Sequence, residues 1–144
     1  MEGRPLVGVW LDHRQAMLFW ADEQANMDVQ ELESGYQEEG EPSDSKGAAG
    51  ATTFGGAVAH ANLSARRREQ LKHYYKKLDQ ILRSAQEIYL FGPGQAKKEL
   101  AALIERDKGL RGRLKGVLNA DKKMTRRQMM ARTRQFFALP RTST

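Results

Sequence analysis

The residues of this sequence with the clearest chemical purpose are basic ones on a predicted helix. Six of them fall within about three helical turns, and they are Arg66, Arg67, Arg68, Lys72, Lys76 and Lys77. Arginine binds phosphate through bidentate, weakly hydrated contacts, and a rigid helix can present several such groups along an RNA backbone. A merely solvated helix face usually includes acids, and here Glu69 and Asp79 are nearly alone. The pattern therefore predicts an RNA-binding surface.

Two smaller basic groups extend this prediction. Lys97 and Lys98 follow a Gly-Pro-Gly turn at residues 92–94, and free backbone N–H groups at a helix N-terminus beside two lysines suit an RNA phosphate. The turn is neither a Walker A loop nor a complete GxGxxG motif, so an ordinary strand-to-helix turn is the alternative. A second cluster, on the last predicted helix, consists of Arg126, Arg127, Arg132 and Arg134. Tyr75 and the pair Phe136-Phe137 could stack on a base, although core packing explains them as well.

The distribution of charge also points to a polyanionic partner. The 144 residues carry a net charge of +6, yet residues 1–46 hold 11 acidic and 3 basic residues, whereas residues 97–144 hold 14 basic and 4 acidic ones. Such a separation indicates a polyanion as the partner of the basic part, with solubility alone as the plainer explanation.

Catalytic chemistry has little support in the sequence. His13, His60 and His73 have no metal-ligand spacing, and the chain contains no cysteine. A ribonuclease-H-type nuclease needs several carboxylates that converge on magnesium. Asp12 could be one of them, but its expected role is to cap a turn. We therefore predict no metal, no cofactor and no catalytic residue.

Hydrophobic patterns predict an α/β fold with the order β-β-β-α-β-α-β-α. Strands are expected over residues 6–11, 16–21, 27–32, 87–91 and 114–118, and helices over 62–85, 96–106 and from a capping box at Thr125 and Gln128 to about residue 138. The first three strands would form an antiparallel meander, and helical crossovers would add the other two to a mixed sheet.

Residues 35–61 differ from the segments on either side. Acidic, proline and serine residues give way to a run rich in glycine and alanine, and nothing there can bury itself. We expect a flexible loop over about 35–61 within a single domain of residues 1–144. A long loop in a compact domain is often functional.

Four segments carry a resemblance to a known family. They are VGVWLDHRQA at Val7–Ala16, RRREQLKHYYKKL at Arg66–Leu78, EIYLFGPGQAKKEL at Glu87–Leu100 and KMTRRQ at Lys123–Gln128. With the element order, they resemble the ribonuclease-H-like middle domain of archaeal and eukaryotic peptide-chain release factors and of Pelota, and more closely small bacterial translation-associated relatives of that domain. The resemblance implies a ribonuclease-H-like mixed sheet and a role at the ribosome.

The resemblance also gives meaning to the predicted loop. In release factors, the loop before the long helix carries a Gly-Gly-Gln motif that enters the peptidyl-transferase centre. The matching residues here are Phe54, Gly55, Gly56 and Ala57, with alanine in place of glutamine. The resemblance thus implies a ribosome-facing loop without peptide-release activity, and ordinary loop composition is the alternative. Pelota-type domains also lack the motif and still bind ribosomes.

These observations together favour a cytoplasmic, ribosome-associated RNA-binding protein that acts in translation, in rescue, hibernation or quality control. Its partner would be the ribosome, through rRNA or tRNA, with no membrane and no small-molecule cofactor. No apolar run is long enough to span a bilayer, and no signal peptide is recognised. Two alternatives stay open. One is a peptidyl-tRNA hydrolase or nuclease of ribonuclease-H-like fold, and the other is an interaction domain for an acidic protein.

Overall fold

The computed structural model describes residues 5–22, 24, 26–35 and 53–139, with side chains from residue 64 onward in the first helix. The elements are β1 (Leu6–Leu11), β2 (Gln15–Ala21), β3 (Met27–Glu33), α1 (Thr53–Leu82), β4 (Glu87–Gly92), α2 (Ala96–Arg106), β5 (Leu114–Asn119) and α3 (Arg126–Phe137). The predicted order is confirmed, and each strand boundary lies within one residue of its prediction.

The five strands form one mixed sheet in the order β3-β2-β1-β4-β5. β2 pairs antiparallel with β1 and β3, whereas β1 and β5 pair parallel with β4. The carboxyl ends of β1, β3, β4 and β5 therefore lie at one edge of the sheet, which we call the carboxyl edge. The first hairpin turns at Asp12, whose Oδ1 accepts hydrogen bonds from the backbone N–H groups of Arg14 and Gln15 at 2.8 and 2.9 Å. The turn-capping role predicted for Asp12 is confirmed.

Helices α1 and α2 cover one face of the sheet. Alternate residues of the strands point to this face, where they meet the apolar sides of both helices. Leu78 and Leu82 of α1 and Leu100 and Ile104 of α2 are fully buried there. Each such side chain contributes about 1.5–3 kcal/mol through removal of apolar surface from water. This burial anchors the C-terminal half of α1 on the sheet.

Among the described helices, α3 alone covers the opposite face, and two glycines let it approach closely. A Cβ atom on Gly8 of β1 would overlap the Thr133 side chain of α3, and one on Gly116 of β5 would overlap the Phe136 ring. The Phe136 ring stacks on Tyr89, with 3.9 Å between centroids. The predicted capping box begins this helix: the Gln128 N–H donates to Thr125 Oγ1, and the Thr125 N–H donates to Gln128 Oε1.

Helix α1 begins nine residues earlier than predicted, at Thr53 rather than at residue 62. Residues 53–61, including Phe54, Gly55, Gly56 and Ala57, were predicted to lie in a loop, and this prediction is wrong. A glycine inside a helix costs about 1 kcal/mol relative to alanine, and the Gly-Gly pair does not end this helix. The alanines that follow offset this cost, because alanine is the best helix former. They are Ala57, Ala59, Ala61 and Ala65. The remainder of the predicted loop, residues 36–52, lies outside the described residues.

The length of α1 sets it apart from the other elements. Its 30 residues extend about 45 Å, whereas a six-residue strand extends about 20 Å. Across the part of the chain that the structure describes, no helix has both the length and the apolar character needed to cross a membrane.

Candidate nucleic-acid interface

The arginine-rich part of α1 lies beyond the carboxyl edge of the sheet. The Tyr74 hydroxyl donates to the carbonyl oxygen of Asp12, directly after β1, at 3.0 Å. Tyr74 therefore marks the level of the carboxyl edge on α1. Leu78 and Leu82 follow it over the sheet, whereas Arg66 and Arg68 precede it and lie about 9–12 Å further along the helix axis. Both arginines are exposed.

Exposed basic side chains occupy two opposite flanks of α1. The Tyr75 hydroxyl donates to Glu99 Oε1 of α2 at 2.6 Å, and helical periodicity places Arg68 and Lys72 on this same side, which we call the α2-side flank. On the other side, Lys77 lines a cleft with the end of β3, and Arg66 shares its side by the same periodicity. We call Arg66 and Lys77 the β3-side flank.

Two further bases of the predicted α1 cluster take different positions. Lys76 is exposed on the outer ridge between the two flanks. Arg67 lies on the helical side of Tyr74 and Leu78, is half-buried and already has an interaction partner. Of the six predicted residues, Arg67 is therefore the one least suited to an external phosphate.

The lysines at the start of α2 separate into a buried and an exposed residue. Lys97 is 2% exposed, and its Nζ donates to the Gly94 carbonyl at 2.6 Å. Burial, followed by the nearby charge of Lys98, lowers the pKa of the Lys97 ammonium group. Lys97 is therefore not exposed, as the predicted RNA contact would require, because the turn before α2 folds over its side chain. Lys98 is exposed, as an RNA contact requires.

Two of the four arginines of the α3 cluster contact their own chain. Arg126 forms an ion pair with Glu31 of β3. Arg132 donates to the carbonyl oxygen of Asn119 at 2.9 Å and lies 5.8 Å from the centroid of the Phe91 ring. Arg134 is half-buried, whereas Arg127 is exposed. Arg127 is thus the residue through which this cluster offers a positive charge to a partner.

The aromatic residues considered for base stacking pack on the core, with Tyr75 buried and Phe136 and Phe137 half-buried. Tyr75 is 8% exposed. Phe136 stacks on Tyr89, and Phe137 meets the edge of Phe136 with 5.0 Å between centroids. Core packing, the alternative considered from the sequence, accounts for all three.

A cleft of about 390 Å³ lies at the carboxyl edge, between the β1–β2 turn, the end of β3 and the connection from β5 to α3. Its walls include two acidic and two basic side chains, which are Asp12, Glu33, Arg14 and Lys122. The Trp10 indole N–H donates to the carbonyl oxygen of Asp121 at 3.1 Å and so holds the β5–α3 connection in place. Sequence analysis missed Lys122. The position of this residue after a predicted parallel strand was the available signal, because ligands of open α/β sheets bind outside the carboxyl ends of strands.

Asp12, the acid considered for catalysis, has a structural role, and so does the neighbouring Glu99. The Asp12 carboxylate is held by two backbone N–H groups. Glu99 accepts from Tyr75 and lies 3.0 Å from Nε2 of His13. Within the described residues, no group of three or more histidine, cysteine, aspartate or glutamate side chains is arranged to hold a metal ion.

A carboxyl pair, with Asp79 buried and Asp107 half-buried, links α1 to the residues after α2. Asp79 is 8% exposed, and burial, together with a hydrogen bond to Asp107, raises its pKa to about 6. The same hydrogen bond lowers the pKa of Asp107. Arg83 completes the group, with Nη2 2.6 Å from Asp107 Oδ2. This cluster fixes the C-terminal end of α1, far from its arginine-rich part.

The strand order and the three helices define the class of fold, a mixed α/β fold of release-factor type with helices on both faces of the sheet. The structure of the archaeal translation termination factor aRF1 shares this fold, with a TM-score of 0.53 at 14% sequence identity. The match covers 94% of this chain and 39% of the termination factor, so the chain spans about two fifths of that protein. The predicted fold class is confirmed. No protein-family model matches the chain, and no curated protein matches its sequence.

Proposed function

We propose that the protein is a ribosome-associated RNA-binding protein that acts in the cytoplasm, in translation. The observation that carries this proposal is the projection of α1 past the carboxyl edge, where Arg66 and Arg68 are exposed on opposite flanks of the helix. Side chains at such a position can approach a large, flat or grooved polyanion without interference from the sheet. Phosphate contacts of this kind supply affinity that depends strongly on salt and little on sequence.

The proposed RNA contacts are exposed bases around the carboxyl edge. They are Arg66, Arg68, Lys72, Lys76 and Lys77 of α1, Lys98 of α2, Lys122 after β5 and Arg127 of α3. The fold that this chain shares with a translation termination factor supports the ribosome, through rRNA or tRNA, as the source of the RNA.

We propose further that the protein does not release peptides. Phe54, Gly55, Gly56 and Ala57 belong to the first turns of α1. By the resemblance to release factors, Ala57 corresponds to the glutamine of their motif. A methyl group can neither donate nor accept the hydrogen bonds that position a water molecule. A role in rescue, hibernation or quality control fits a factor that binds without this chemistry. The nuclease alternative has less support, because the Asp12 carboxylate is already engaged by the backbone.

Co-sedimentation with 70S ribosomes and with free subunits across a salt series tests this proposal. The test variant is Arg66→Gln with Arg68→Gln and Lys72→Gln, which leaves half-buried Arg67 in place. The control is Lys108→Gln with Arg111→Gln and Lys115→Gln, which removes the same charge from exposed residues away from the carboxyl edge. We expect salt-sensitive binding that the control retains. In the test variant, the slope of log K against log salt should fall by about 3.

Two outcomes would contradict the proposal. Absence of ribosome binding at low salt would exclude a ribosomal partner. Binding to a cellular partner that survives nuclease treatment would instead favour the acidic-protein alternative.

A further inference from the structure

The placement of basic side chains on two opposite flanks of α1 suggests the kind of RNA that the helix binds. Arg68 and Lys72 lie on the α2-side flank, and Arg66 and Lys77 lie on the β3-side flank, on opposite sides of a cylinder about 10–12 Å in diameter. All four side chains are exposed. A single RNA backbone that runs along a helix meets only one flank. Basic side chains on both flanks match two RNA backbones, one on each side of the α-helix.

Tyr74 and Tyr75 of α1 are buried, as are Trp10 and Tyr89 of the sheet. Tyr75 donates to Glu99, Tyr89 stacks between Phe136 and Phe91, and Trp10 donates to the Asp121 carbonyl. Proteins that bind single strands use aromatic platforms on which the bases stack. The basic side chains of α1 instead present a cationic surface. Such a surface suits the outside of an RNA double helix, in which the nucleobases are already stacked.

A-form RNA offers a surface with the required shape. Its minor groove is wide and shallow, carries 2′-hydroxyl groups and is bordered by the phosphates of both strands. An α-helix laid over this groove would bring each of its flanks toward one strand. The four-residue step from Arg68 to Lys72 spans about 6 Å along the axis, so the α2-side flank can contact more than one phosphate of its strand.

We propose that α1 binds double-helical RNA across its minor groove, with the α2-side flank on the phosphates of one strand and the β3-side flank on those of the other. This inference rests on the proposed RNA-binding function and names the class of RNA. Recognition of this kind reads the shape of the duplex and not its base sequence.

Fluorescence anisotropy with the full chain tests the inference. One probe is an RNA duplex of about 16 base pairs, the length that a double-stranded-RNA-binding module spans, and the other is one of its strands alone. Three variants remove equal charge: Arg68→Gln with Lys72→Gln, Arg66→Gln with Lys77→Gln, and the control Lys108→Gln with Arg111→Gln.

We expect the duplex to bind at least about ten-fold more tightly than the single strand at physiological salt. Each flank variant should lower the salt slope for the duplex by about 2, and the control should leave that slope unchanged.

The two proposals fail in different ways. Equal affinity for the single strand, or a loss confined to one flank variant, would overturn the two-strand arrangement while RNA binding itself stands. If the protein binds neither RNA probe nor ribosomes at low salt, the proposed function is excluded, and this inference is excluded with it.

Discussion

Helices α1 and α3 both attract attention in the sequence through clustered arginines, but the clusters do different things. Two arginines of α3 bind groups of the sheet: Arg126 pairs with Glu31, and Arg132 contacts the Asn119 carbonyl and the Phe91 ring. The flank residues of α1 are exposed on a helix that extends past the sheet. The difference teaches that the position of a helix relative to its sheet, and not the density of its positive charge, decides whether arginines face a partner.

The two halves of α1 should differ most in their contribution to stability. Leu78 is fully buried over the sheet, and Leu78→Ala leaves a cavity that should lower the free energy of unfolding by about 2–5 kcal/mol. Arg66→Gln, on the projecting half, should change it by less than about 0.5 kcal/mol. Urea denaturation followed by circular dichroism measures both. Similar losses for the two variants would show that the projecting half is also packed.

Close contact of α3 with the sheet should produce the next largest effect. Gly8→Ala places a Cβ atom against the side chain of Thr133, and such overpacking should cost about 1–3 kcal/mol of unfolding free energy. Gly112→Ala is the matched control, because a Cβ atom there meets nothing within 4 Å. If Gly8→Ala unfolds at the same urea concentration as the control, the approach of α3 to β1 is looser than described.

The carboxyl pair at the C-terminal end of α1 predicts a dependence of stability on pH. The raised pKa of Asp79, about 6, means that the folded state binds a proton that the unfolded state releases near pH 4. The stability from this proton is complete below about pH 4 and is lost as the pH rises through 6. Asp107, whose pKa is lowered, acts in the opposite sense. Its ionised carboxylate stabilises the folded state, and this stabilisation is lost as the pH falls below the usual pKa range of an aspartate.

Asp79→Asn removes this dependence on Asp79, because the amide stays neutral and can still donate to Asp107. The variant should gain about 1–2 kcal/mol over the native protein at pH 8 and no gain at pH 4. Thermal unfolding at the two pH values measures the difference. An equal gain at both would mean that Asp79 does not hold a proton in the folded state.

Neighbouring arginines at the start of α3 should give the smallest effect and the sharpest test of the comparison. Arg126→Gln breaks the ion pair with Glu31 and should cost about 0.2–1 kcal/mol of stability, with little effect on RNA binding. Arg127→Gln should leave stability unchanged and weaken RNA binding about two- to five-fold, since one phosphate contact is removed. The reverse assignment of the two effects would mean that the exposed arginine of this cluster has been misidentified.

Local patterns were sufficient for much of the fold. Alternating and continuous apolar runs identify all five strands to within one residue, and the spacing of Thr125 and Gln128 identifies the start of α3, because both signals depend on neighbours in the chain. The start of α1 was missed since the helix propensities of glycine and alanine nearly balance between residues 53 and 61.

The candidate site was less predictable, because exposure depends on contacts between distant residues. Lys97 and Lys98 are adjacent in the chain, yet the turn at residues 92–94 buries one and leaves the other exposed. Arg126 is neutralised by Glu31, which lies in a strand 95 residues earlier. Lys122 becomes part of the carboxyl-edge cleft only because β5 pairs beside β4.

By itself, the sequence determined the element order, the mixed sheet and the existence of a basic surface, since periodicity and composition report directly on local structure and on total charge. Tertiary structure alone decided which basic side chains face outward. It also decided that those of α1 lie on two flanks of the helix. The physical reason is that a positive charge becomes available to a partner only when no carbonyl, carboxylate or aromatic ring of its own chain has already bound it.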